Sequence, residues 1–120
     1  MSLEFELGVL LETLGVPVVW GLFDSDVGFP RISLRRVGTV TGYALQGRAD
    51  VETARVQVNI DALSYGELIS LGPTVSQLLT GYRSGSVIRI KELSRRDGSS
   101  ETGGEVVRRQ MLDLQVRYRA

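Results

Sequence analysis

The sequence predicts an α+β domain: a mostly antiparallel sheet of four to five strands packed against two helices, in the order α-β-β-β-α-β-β, with a long glycine-rich arm. Three observations carry this. Leucines near the start recur at helical spacing, residues 54–62 alternate strictly between apolar and polar, and the last strand alternates in the same way to the chain's end. A length of 120 residues suits one domain spanning 1–120. Hydrophobic residues make up 42% and charged residues 23%, an ordinary globular balance rather than a disordered one.

The first helix is predicted over residues 3–14. Leu7, Leu10, Leu11 and Leu14 keep to one face, Glu4 sits in the first turn, and Gly15 with Pro17 supplies the stop. A short β-branched and aromatic strand follows over 16–23, carrying Trp20 and Phe23 as core candidates. Asp24, Ser25, Asp26 and Gly28 read as a turn. Pro30 then opens a second strand in which Ile32 and Leu34 alternate with Arg31, Ser33 and Arg35.

Residues 38–50 hold Gly38, Gly42 and Gly47 with little periodicity, so a flexible long loop or an extended hairpin arm is expected there. Val56, Val58 and Ile60 alternate with Arg55, Gln57, Asn59 and Asp61 in the next strand. Ser64 with Glu67 three residues later is a capping-box pattern opening a second helix. Tyr65, Leu68, Ile69, Val75, Leu78, Leu79 and Tyr82 would share its apolar face, and Gly72-Pro73 should kink or split it. Gly81 is its expected end. A strand over 87–93, a flexible hairpin loop over 94–104 and a final strand with Leu112, Leu114, Val116 and Tyr118 on one face complete the chain.

Composition narrows the chemistry. With neither cysteine nor histidine, thiolate and imidazole chemistry, disulfides and the usual zinc sites are out of reach of this chain alone. No nucleotide-binding glycine motif and no Asp-x-Asp-x-Asp-Gly loop occurs. The expectation is therefore a non-enzyme with no catalytic, cofactor or metal residues. Fourteen basic residues balance fourteen acidic ones, so no overall field draws in a polyanion or a membrane. The first nineteen residues lack a basic n-region, and no apolar run approaches the roughly 18 residues of a spanning helix. A cytosolic protein is expected.

The ordered set of elements resembles one family. Pro30-Arg31-Ile32-Ser33-Leu34, then Ala54-Arg55-Val56-Gln57-Val58-Asn59-Ile60-Asp61-Ala62, then a helix opened by Ser64-Tyr65 and closed by Leu78-Leu79-Thr80-Gly81-Tyr82 form the core of the likeness. The final Leu112-Asp113-Leu114-Gln115-Val116-Arg117-Tyr118 completes it. Together they resemble the tail completion, or tail terminator, proteins of long-tailed bacteriophages. That resemblance implies a ring, commonly a hexamer, which caps the head-proximal end of a tail tube and stops its growth. The partners implied are copies of itself, the tail tube protein and neck or connector proteins, with no cofactor and no membrane. Assembly in the host cytoplasm and a place in the virion or a phage-like particle follow from it.

Two groups of residues stand out against that background. Tyr43, Leu45 and Arg48 lie in an otherwise polar arm and are candidates for a subunit or partner interface. The pairs Arg35-Arg36, Arg95-Arg96 and Arg108-Arg109 could make transient DNA contacts in a ring lumen, or could simply be solvated surface or ion pairs. A neck or head–tail adaptor is the alternative function, followed by a small nucleic-acid-binding module.

Overall fold

The computed structural model describes residues 3–21, 28–44, 47–83, 85–102 and 105–119, and the side chains of 3–21, 28–39, 51–83, 85–99 and 106–119. Two helices and five strands appear in the expected order: α1 (Leu3–Glu12), β1 (Val18–Trp20), β2 (Arg31–Ala44), β3 (Gly47–Ala62), α2 (Tyr65–Thr80), β4 (Val87–Thr102) and β5 (Glu105–Arg119). One sheet holds all the strands in the order β1-β2-β3-β5-β4, antiparallel except for β1 beside β2. Because β5 inserts between β3 and β4, α2 is the crossover of a split β-α-β unit.

Strand alternation decides the layers. Ile32 and Leu34 of β2, Val56, Val58 and Ile60 of β3, and Leu112, Leu114 and Val116 of β5 point to one face and are fully buried. Leu3, Leu7 and Leu11 of α1, with Leu68, Val75 and Leu79 of α2, cover them. Each such side chain contributes roughly 1.5–3 kcal/mol when taken out of water, so this single face holds the fold together. The Glu6 carboxylate, buried in α1, accepts the Ser86 backbone N–H at 3.0 Å and the Ser86 hydroxyl, tying the helix to the turn before β4. Trp20 is part-buried and donates its indole N–H to the Glu4 carbonyl at 2.9 Å.

Helix ends follow the local chemistry. Gly15 takes φ 78° three residues after α1. Ser64 caps α2 by accepting the Glu67 N–H at 3.1 Å, and its hydroxyl reaches the Glu67 carboxylate at 3.3 Å. Gly81 closes the helix.

Three expectations need correction. Gly72-Pro73 does not split α2, which is one element through Pro73. Ile69 and Pro73 both face solvent, so the carbonyl that loses its i+4 donor can be solvated, while Thr74 Oγ1 donates to the Ser70 carbonyl at 3.1 Å. Tyr65 and Ile69 are 50% and 55% exposed and do not join the apolar face. Residues 94–102 are strand, paired from Ser94↔Asp113 to Thr102↔Glu105 rather than looped out. Their polar composition reads as loop, but a strand with both faces in water needs no apolar alternation once β5 templates it.

Each hairpin outruns the sheet. The β2–β3 register runs to Ala44↔Gly47, whereas β5 leaves β3 at Val51↔Arg119. At the opposite end β3 stops at Ala62↔Arg108, while β4 and β5 stay paired to Thr102↔Glu105. The result is an elongated body of 56 × 24 × 22 Å.

Candidate functional site: the open face of the sheet

Opposite the helices the sheet carries a second face that no described helix or strand covers, and strand register assigns its residues. β2 contributes Arg31 and Arg35, β3 contributes Arg55, and β5 contributes Arg109, Arg117 and Arg119. β4 adds Arg89, Lys91 and Arg96. Against these nine basic residues stand Asp61 and Asp113, the acidic side chains described on that face. A chain of zero formal net charge is thus strongly segregated.

The two acids are already engaged. Asp61 is 1% exposed and accepts from Arg109 Nε at 2.6 Å and Nη2 at 3.1 Å, with Arg31 Nε 3.6 Å away. The hydrogen bond to Asp61 raises the Arg109 pKa above its ordinary value, against the lowering effect of burial. Asp113 pairs with Arg55 in an exposed bridge worth little, at most about 1 kcal/mol. Beside that bridge Arg35, Arg55, Gln57, Arg96 and Asp113, together with the apolar Val37, Met111 and Leu112, line a depression of about 190 Å³. Arg35 donates to Gln57 Oε1 at 3.2 Å there.

At the other end of the face Arg89 and Arg117 stand directly opposite each other in register, both exposed, with Lys91 two residues along. Like charges so placed destabilise a sheet by roughly 0.2–1 kcal/mol. Among the described residues no carboxylate bridges either of them.

No protein family model matches the chain, and no curated protein does. Among solved structures it is similar to a chain of the virion of a native gene transfer agent particle, with a TM-score of 0.65 and 18% identity over 97% of this chain and 91% of that one. The likeness fixes the fold.

The three expected arginine pairs are not pairs in space, because a strand sends neighbours to opposite faces. Arg35, Arg96 and Arg109 lie on the open face, while Arg36, Arg95 and Arg108 lie on the helix side. There Arg36 bridges Glu4 at 2.7 Å and donates to the Tyr118 hydroxyl at 3.1 Å, Arg95 bridges Glu92 at 3.3 Å, and Arg108 sits 5.9 Å from the Tyr65 ring centre. Arg36, Arg95 and Arg108 are therefore structural cations. Sequence reading missed Arg31, Arg55, Arg89, Lys91, Arg117 and Arg119. The spacing Arg89-x-Lys91 and Arg117-x-Arg119 was the signal, since i and i+2 share a face.

Of the interface candidates, Tyr43 and Arg48 are opposite each other in the β2–β3 register, with side chains outside the described set; Leu45 lies outside the described residues altogether. The turn at 24–26 and Phe23 lie outside them too. Among the described residues no group of three or more acidic, histidine or cysteine side chains could hold a metal, and no helix is long and apolar enough to cross a membrane.

Proposed function

We propose that this chain is a structural subunit of a phage or phage-like particle that closes into a ring on the head-proximal end of a tail tube, ending tube growth and offering a surface to the neck. One observation carries the reading. The sheet has two open edges that are complementary: β4 along its outer side, and β2 beyond the three residues covered by β1. These edge strands run in opposite directions, because each pairing between β2, β3, β5 and β4 is antiparallel. Copies sharing one orientation would therefore meet edge to edge as antiparallel neighbours, a head-to-tail contact that closes into a ring when the rotation allows. Bulges and charges along β4 guard such an edge against indiscriminate pairing.

The fold shared with a chain of a gene transfer agent virion supports this reading. So does the sequence resemblance to tail completion proteins, which implies a hexamer assembled in the host cytoplasm. The test is the length of tail tubes polymerised with and without the purified protein, together with its mass by light scattering. Tubes that stop growing and carry a ring at one end are expected. A chain that stays monomeric even with tubes present, and leaves their length unchanged, overturns the proposal.

A further inference from the structure

From the segregation of charge we infer that the open face of the sheet binds the phosphate backbone of double-stranded DNA without reading its sequence. Edge protection accounts for cations on β4 but not for Arg55 on β3 or for Arg109, Arg117 and Arg119 on β5, because those two strands are paired on both sides. The cations are also under-neutralised. Asp61 and Asp113 occupy Arg31, Arg109 and Arg55, while Arg89, Lys91, Arg96 and Arg117 have no carboxylate partner among the described residues. Holding Arg89 opposite Arg117 without an acid disfavours the folded state, and an anion lying between them would reverse the sign of that interaction.

Geometry selects the kind of polyanion. Side chains on one face of a strand recur every ~6.7 Å, and neighbouring strands lie ~4.8 Å apart, so the arginines form a flat grid rather than a closed pocket. The depression lined by Arg35, Arg55 and Arg96, together with Val37 and Met111, is partly open to solvent and presents three guanidinium groups to a phosphate on a rigid backbone. Strands β2 to β5 put no described aromatic side chain on this face, with Tyr118 and Tyr65 on the helix side, but the Phe29 ring just before β2 lies against the open-face Arg31, 4.4 Å from its guanidinium. One ring at a corner of the face, already covered by a guanidinium, is no platform for successive unpaired bases, which favours a duplex over a single strand. The cations contact phosphates and leave the bases unread, so binding is non-specific and strongly dependent on salt.

The inference does not rest on ring closure. Its test is fluorescence anisotropy of a labelled mixed-sequence DNA duplex titrated with the purified full chain, across a salt series from about 50 to 200 mM. Binding should weaken linearly on a log–log plot. Combining Arg89→Gln, Arg96→Gln and Arg117→Gln should lower affinity at least roughly tenfold at the lowest salt and flatten the slope by about one per contact removed. Arg108→Gln, on the helix side, should leave both unchanged. A circular dichroism melt of each variant checks that it is folded.

Absence of binding by the wild-type chain at the lowest salt overturns the inference. So does an Arg108→Gln loss equal to that of the triple variant, or a single strand bound more tightly than the duplex. If the triple variant changes the oligomeric mass by light scattering and leaves DNA affinity intact, the face is covered by a second copy and the inference fails. Rings that form and cap tubes without binding DNA would sink this inference alone.

Discussion

Asp61 lies between two arginines on neighbouring strands, and its carboxylate takes both hydrogen bonds that Arg109 offers, at 2.6 and 3.1 Å. With 1% of its surface exposed, it is a buried anion inside an otherwise basic face. Replacing it by alanine would leave Arg31 and Arg109 facing each other two strands apart. A loss of about 2–3 kcal/mol is expected, less than for a fully buried pair because both guanidinium groups can reach water. Urea unfolding measures it, and Asp61→Asn should recover part of the loss. Since the Arg109 pKa is raised, its charge persists through the whole range in which the fold can be studied, and its own titration adds no pH dependence below alkaline extremes.

Ser64→Ala should cost about 1 kcal/mol, the ordinary worth of an N-cap. The same variant frees the Glu67 backbone N–H and ends the contact between the two side chains. The shift in the midpoint of urea denaturation, at constant slope, checks it.

Gly85 has φ 59°, and a β-carbon there would run into the Glu6 carboxylate. Gly15 has φ 78° with open space around it. Both alanine variants should suffer the left-handed strain, of order 1 kcal/mol. Gly85→Ala should lose about 1–2 kcal/mol more, because Glu6 must also give up its bonds to Ser86. Thermal melts of the two variants side by side read the difference, and equal losses would show that the Glu6 contact adds nothing.

Ile69 is 55% exposed, with Tyr65 half exposed on the turn before it. Apolar groups left in water at one end of a helix are available to a neighbouring subunit. Ile69→Asp should change stability by no more than about 0.5 kcal/mol, yet, if the chain closes into the proposed ring, reduce self-association measured by sedimentation. Unchanged assembly would remove α2 from the subunit contacts.

Much of the fold was readable because two periods differ so sharply. Val56, Val58 and Ile60 could only be one side of a strand, and Ser64 with Glu67 could only usefully begin a helix. What escaped reading depended on partners distant in sequence. Residues 94–102 are strand only because β5 pairs with them, and α2 survives Pro73 only because that side of the helix faces water. The site was hidden for a related reason. Arg35-Arg36 looks like a cluster along the chain, but alternation separates its members by the thickness of the sheet, whereas Arg89 and Arg117, 28 positions apart in number, are neighbours. Charge segregation becomes visible only once register is known.

The two hairpins leave the sheet in opposite directions and are unlike in make-up, one glycine-rich and the other rich in serine and charge. Any closed array whose members all point the same way then has an upper rim and a lower rim with different chemistry. One small gene product could in this way distinguish what lies above it from what lies below, with no second protein needed to mark the difference.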